Sequence, residues 1–336
     1  MNFMRVARGT SALRALALIG AVLLPTTVTA DEVALKSADG TVNLVGEFVD
    51  FIDDNYIIRT ALGELRISAA RVRCEGSACP SFETEGVDLK IVGSDTIGVG
   101  LMPLLMSGYA SYLDAEASIA ATNVEGEILA NFVGDGGFGD EIGSYLVSST
   151  RSGDAFASLI SQSTDIGMAA RRSLPTEARE LKASGAGNMV SPDQEHIIAV
   201  DSLVVITHPS NPIETLTLSD LRDIYNGRIT NWSQLGGQDA PITVVSRDEG
   251  SGTRGAFEGT ATPASGNAAI VADDNNTVAA TVNSDPNAIG YVGFAFQRGA
   301  KPMTLINECG LTATPDAFSA KTEEYALNRR MYLYNR

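Results

Sequence analysis

Histidine, cysteine and tryptophan are scarce in this chain: two, three and one among 336 residues. With only His196 and His208, a metal centre of imidazoles and thiolates has too few ligands close together, so no metal and no cofactor are expected. No Gly-x-x-x-x-Gly-Lys occurs, which excludes a nucleotide P-loop. Beyond the first thirty residues no uninterrupted apolar run reaches the roughly 20 residues of a membrane-spanning helix. Basic residues are also few, 24 Lys and Arg against 41 Asp and Glu, for a formal charge of −17. That balance makes nucleic acid and anionic membranes poor partners. A small buried anion stays open, because salt screens distant charges within about 8–10 Å.

The first thirty residues carry Arg5, Arg8 and Arg14, an apolar core from Ala15 to Leu24, and Val28-Thr29-Ala30. This is the pattern of a secretory signal peptide (1–30) cut after Ala30, so a periplasmic, exported protein is expected. No cysteine lies near the cut to carry a lipid anchor. Cys74 and Cys79 bracket Glu-Gly-Ser-Ala, and in an oxidising compartment they read as a short disulfide loop. Cys309 is left over, and a buried thiol is the expectation for it.

Residues 31–80 alternate as short strands (Val42–Val45, Glu47–Val49, Tyr56–Ile58, Glu64–Ile67) broken by Asp39-Gly40, Asp53-Asp54-Asn55 and Leu62-Gly63. They read as a small all-β module, with a barrel as one arrangement. A polar linker follows at 81–86. From Val87 strands alternate with helices, the mark of an α/β fold. Ile97, Leu101, Leu104, Leu105 and Tyr112 share a helical face, and Thr217–Gly227 is a short helix with a capping box and a glycine stop.

The richest stretch is Val245 to Arg254, where Arg247, Ser251, Gly252 and Thr253 sit between the β-branched run Ile242–Val245 and a helix beginning near Thr253. Free N–H groups at a helix start attract oxyanions. The hydroxyls add donors, Gly252 allows close backbone approach, and Arg247 brings a planar fork of donors. Two similar corners are Gly93-Ser94-Asp95-Thr96 and Ser148 to Asp154. Since ligands gather at the carboxyl ends of strands in open α/β sheets, the three corners point to one shared anion.

At Gly93–Ile97, Asp165–Arg171, Asp201–Val205, Leu221–Gly237, Arg247–Thr253 and Ala288–Val292, in that order and spacing, the chain resembles the substrate-binding proteins of phosphate ABC transporters. The resemblance covers most of residues 87–336. It implies a two-lobed type II periplasmic binding protein fold preceded by the β module, with 87–199 plus 288–336 as one lobe and 200–287 as the other. It implies capture of inorganic phosphate without covalent chemistry, the membrane subunits of an ABC transporter as partners, and a monomer. Carried over position by position, Thr96, the Ile97 backbone, Ser152, Gly153, Arg247, Ser251, Gly252 and Thr253 are the ligand-binding set, with Ser94 and Arg171 beside them.

Two departures stand out. Some members of that family have an aspartate where this chain has Ala170, and a carboxylate there would accept the proton of hydrogen phosphate and repel sulfate. Asp95 is the candidate to replace it, against an ordinary helix-cap role. The chain also stops at Arg336, where relatives continue into a helical stretch. The competing readings are another oxyanion (sulfate, molybdate or a phosphonate), an envelope interaction or sensing protein working through the β module, and a weak phosphatase using Ser251 with His196 or His208. Gly134–Gly139 matches a dinucleotide fingerprint but reads as a glycine-rich turn. Asp53-Asp54 and Asp273-Asp274 lack the spacing of a calcium loop and read as solvated turns. Trp232 is expected to pack rather than stack on a ligand.

Overall fold

The computed structural model describes residues 32–37, 40–82, 84–134, 140–261 and 268–336; the expected signal peptide and most of the Gly134–Gly139 run lie outside them. Asp31 to Arg336 form one compact unit. Its first layer is an antiparallel sheet of β1 (Glu32–Lys36), β2 (Asn43–Ile52), β3 (Asn55–Thr60), β4 (Gly63–Ser68) and β5 (Arg73–Glu75), in the order β4-β3-β2-β1-β5. Period-two alternation sends Val33, Leu35, Tyr56 and Ile58 to one face, where they form a core with Val72 and Cys74. Asp53 and Asp54 both have positive φ, 48° and 56°, which matches a tight hairpin turn to the twist of its strands. The barrel arrangement is corrected: β5 pairs with β1, and β4 and β5 end the sheet unpaired with each other. Cys74 and Cys79 are disulfide-bonded, with Cα atoms 5.7 Å apart.

The second part opens with β6 (Leu89–Ser94), α1 (Asp95–Gly98), α2 (Met102–Tyr112), β7 (Ala115–Ala121), β8 (Glu127–Gly134), β9 (Glu141–Thr150), α3 (Ser152–Ser161), β10 (Ile166–Ala169) and α4 (Pro175–Ala183). β6 runs parallel to β9 and β10, burying Ile91, Val147 and Met168 under Ile97, Met102 and Met106. The single helix expected through Ile97–Tyr112 is two: Pro103 sits in the first turn of α2, where its missing N–H costs nothing. β7 docks on the first sheet, for Ala121 N donates to Ala69 O (3.0 Å) and Ser118 Oγ to Asp54 Oδ1 (2.8 Å).

The chain crosses on β11 (Glu195–Thr207), a strand of 13 residues. Beyond it come β12 (Thr215–Thr217), α5 (Leu218–Tyr225), β13 (Thr243–Arg247), α6 (Gly252–Thr260), β14 (Ile270–Ala272), α7 (Asn275–Ser284), β15 (Ala288–Gly293), β16 (Lys301–Pro302), β17 (Thr304–Ile306), β18 (Thr312–Ala313), α8 (Ala317–Lys321) and β19 (Asn328–Asn335). The central sheet runs β14-β13-β15-β11-β19-β10-β6-β9-β8-β7. β11 pairs with β19 through Ser202 and with β15 from Leu203 onward, so it serves both halves.

Placing 288–336 with the first half needs correction. β15 lies between β13 and β11, and Ile289, Tyr291, Met303 and Leu305 fill the core of Leu221, Trp232 and Phe257. Only from Asn328 does the chain return, as β19 between β11 and β10. Tyr332 and Tyr334 then pack with Phe156 and Leu159 of α3, while Met331 joins Ile91 and Met168 on the other face. Cys309 is exposed rather than buried, because it sits on the tight turn between β17 and β18, with its N–H bonded to Asn307 Oδ1 at 2.9 Å.

Candidate functional site

β6, β9 and β13 each end in a corner that opens a helix, and the three corners meet. Ser94 is the buried residue before α1, Asp95 and Thr96 begin that helix, and Ile97 is a buried residue of it. Thr96 Oγ1 lies 3.4 Å from Thr253 Oγ1 in α6. Asp95 Oδ2 receives Arg247 Nη1 at 3.3 Å. At the second corner Ser152 is fully buried, its Oγ accepting Ala170 N–H at 3.0 Å, and Gly153 N–H donates to Gly250 O at 3.0 Å. Gly252 backs onto Ser152 so tightly that a Cβ would stand 2.0 Å from the serine Oγ. Ser251 caps α6 by accepting Arg254 N–H at 3.2 Å.

Arg171 is committed elsewhere. It makes a bidentate ion pair with Glu177 at 2.7 and 2.8 Å, and its guanidinium lies 5.2 Å over the Phe156 ring. Asp95 does not cap its helix; it occupies the first helical position and faces the site.

Three further groups complete the cluster. Asn275, fully buried at the start of α7, donates Nδ2 to Asp95 Oδ2 (2.7 Å) and to Thr96 Oγ1 (3.0 Å). Arg329 on β19 donates Nη1 to Thr253 Oγ1 (2.9 Å) and Nη2 to Thr96 Oγ1 (3.3 Å). Asp201 on β11 holds Arg329 from Nε and Nη2 at 2.9 and 2.7 Å. The sequence hinted at one of these, through Asp201 inside a family-like segment. Their partners lie 76 to 233 residues away along the chain, beyond the reach of local patterns.

Two buried guanidiniums thus face two carboxylates whose side chains are 12% (Asp95) and 11% (Asp201) exposed, which removes most of the cost of burying unpaired charge. Arg247 is fully buried; its Nη2 donates to Asp273 O at 2.8 Å, while its Nε has no hydrogen-bond partner among the described residues. A buried donor left unmade costs about 1–3 kcal/mol, so an acceptor placed there is favoured. Beside it, Tyr291 Oη meets Ser246 Oγ at 2.8 Å and receives Arg247 N–H at 3.4 Å. Burial pushes the Tyr291 phenol above its ordinary range, so this neighbour is a neutral hydroxyl at physiological pH.

Residues 116–330 match the family model of the PBP superfamily domain. The chain belongs to this superfamily. Over 147 residues, 42% of this chain and 47% of the relative, it is 33% identical to the phosphate-binding protein PstS of Bacillus subtilis. It is 28% identical over 150 residues to the protein of that name from Borreliella burgdorferi, covering 42% of this chain and 53% of the relative. The chain spans about half the length of the curated relatives it matches. A structure from Clostridium perfringens, described as a phosphate ABC transporter substrate-binding protein with bound phosphate, aligns over 74% of this chain and 86% of its own, at 26% identity and TM-score 0.54. An ABC-type phosphate transport receptor from Vibrio cholerae shares the fold at 22% identity and TM-score 0.50, over 74% and 86% of the two chains.

In this PBP-superfamily chain Ala170 lies buried against Ser152 and Gly252, at the edge of the cluster. Neither histidine is bonded to Ser251: His196 Nε2 meets Asn335 Oδ1 at 2.7 Å, and His208 Nδ1 meets Ser210 Oγ at 2.7 Å. Trp232 packs in the second core and donates Nε1–H to Asn287 O at 3.0 Å.

Proposed function

We propose that this chain is an exported, periplasmic substrate-binding protein that captures inorganic phosphate between its two halves and delivers it to the membrane subunits of an ABC transporter. The observation that carries this reading is Arg247: fully buried, held by Asp95 and by the Asp273 carbonyl, with Nε left without a hydrogen-bond partner among the described residues. A tetrahedral oxyanion offers acceptors to a guanidinium edge, hydroxyls and helix-start N–H groups at once. The names of the relatives support phosphate among the oxyanions. The chain performs no covalent step in this reading; its selectivity comes from completing fixed hydrogen bonds. The moving halves divide within β11 near Ser202 and again at Asn328, where the two strands cross together. Calorimetric titration of phosphate-stripped protein with phosphate and then sulfate, near neutral pH, tests it. Tight one-to-one binding of phosphate with sulfate silent is expected; binding of neither anion rejects the transport reading and favours an envelope-interaction role.

A further inference from the structure

Arg329 and Asp201 occupy opposed positions on the two strands that cross between the halves. A guanidinium beside two hydroxyls at the centre of an anion site invites the reading of a direct ligand, but its bonds say otherwise. Nε and Nη2 are taken by Asp201 Oδ2 at 2.9 and 2.7 Å, so the charge is balanced where it stands. Nη1 is aimed at Thr253 Oγ1 at 2.9 Å, and Nη2 also reaches Thr96 Oγ1 at 3.3 Å. The side chain of Arg329 is 3% exposed, and Gly293 is pressed against it: a Cβ there would lie 2.9 Å from Nη2.

Guanidinium only donates, whereas a hydroxyl has one proton and two lone pairs. Thr96 Oγ1 receives Asn275 Nδ2 as well as Arg329, so both its lone pairs are used and its proton points outward. That proton reaches Thr253 Oγ1, 3.4 Å away, which already receives Arg329 Nη1. Thr253 is then loaded with two donors, and its own proton has to be given to a third group. Without the arginine one lone pair is freed on Thr96 and one on Thr253, and the Thr253 proton can then turn back to Thr96 Oγ1, so the effect of Arg329 falls on the direction of the Thr253 proton.

We propose that Arg329 is a positioning residue that turns the Thr253 hydroxyl into a fixed donor for the bound anion, with Asp201 holding it across the crossing strands. The inference rests on the anion-capture reading above. It ties the donor geometry of the site to the strands about which the halves move, because Arg329 touches a hydroxyl from each half.

A thermodynamic cycle separates this role from its alternatives. Arg329→Gln alone leaves the part-buried Asp201 without its cation, so it is combined with Asp201→Asn to give a neutral pair. Phosphate affinity is measured by calorimetry for the native chain, the neutral pair, Thr253→Val and the triple variant, with circular dichroism and Tm confirming that each folds. The neutral pair and Thr253→Val are each expected to bind phosphate about 10- to 100-fold more weakly, the range for a hydrogen bond to a charged group. The triple variant is expected to bind within about 2-fold of Thr253→Val, since Arg329 acts through that hydroxyl. Multiplicative losses in the triple variant would show a direct ligand or a merely structural pair, and would overturn the proposal while leaving phosphate capture intact. A native chain that binds no phosphate would overturn both.

Discussion

Gly252 and Ser152 are in backbone-to-hydroxyl contact across the site, so close that a Cβ on the glycine would lie 2.0 Å from Ser152 Oγ and 2.8 Å from its Cβ. The serine cannot swing away freely, because its Oγ accepts Ala170 N–H. Gly252→Ala should therefore hold the halves apart. Overpacking of this kind costs about 1–3 kcal/mol, or roughly 5- to 150-fold in phosphate affinity. Small-angle scattering at saturating phosphate should report a larger radius of gyration for the variant; an unchanged radius and affinity would show that this contact does not limit closure.

Arg247 tests the anion reading through shape rather than charge. Lysine preserves the positive charge but brings one donor centre in place of a fork, and it has no Nε donor. Arg247→Lys should weaken phosphate binding about 100-fold, two charge-assisted bonds being at stake. Calorimetry on the folded variant measures it, and a loss under about 5-fold would remove Arg247 from the anion's ligands.

Asp95 is loaded at Oδ2 by Arg247, the Asn275 N–H and Asn275 Nδ2, at 3.3, 3.2 and 2.7 Å. A carboxylate has two oxygens, and the other, to which no side chain or N–H donates among the described residues, is an acceptor for the proton of hydrogen phosphate. Sulfate brings no such proton. Asp95→Ala should narrow the preference for phosphate over sulfate by about 10-fold or more, against the cost of mispairing a buried charged group. Equal preference in the variant and the native chain, by competition titration, would assign Asp95 to holding Arg247 alone.

Tyr56 in the β module is fully buried, and its hydroxyl has no hydrogen-bond partner among the described residues. Burial pushes its phenol up to about 12 from 10.0. Below pH 10 both folded and unfolded forms keep the proton, so the shift leaves stability unaffected there. Between pH 10 and about 12 the unfolded tyrosine ionises first, and stability falls. Tyr56→Phe should raise or preserve Tm at neutral pH, by up to about 1 kcal/mol for the removed orphan hydroxyl, and should flatten the alkaline loss. Thermal melts from pH 7 to 11.5 decide it; a variant that melts lower at every pH would mean that Tyr56 Oη is satisfied in solution.

Local chemistry decided much of this molecule. Alternation in strands such as Tyr56–Ile58 specified the β module, and the two aspartates at the β2–β3 hairpin supplied its turn. Thr217 and Asp220 capped their helix reciprocally, as their spacing required. The corners at Asp95, Ser152 and Arg247 were legible because each is a short run of hydroxyls and glycine after a β-branched strand. Pairing partners were not legible. Whether β15 returned to the first half depended on which neighbours its all-buried face found, and Tyr291 found Phe257, 4.0 Å between ring centroids, in the second.

The amino-acid sequence by itself determined most of the elements, though not the break between α1 and α2, together with the three donor-rich corners and the disulfide loop, because each depends on residues a few positions apart. Tertiary structure alone decided that Arg329 and Asp201 stand at the centre of the site, that Asn275 braces Asp95 and Thr96, and that Arg171 is spent on Glu177. The physical reason is that a buried charge is defined by the group that neutralises it. Those groups are joined through crossing strands and cores, not through spacing along the chain.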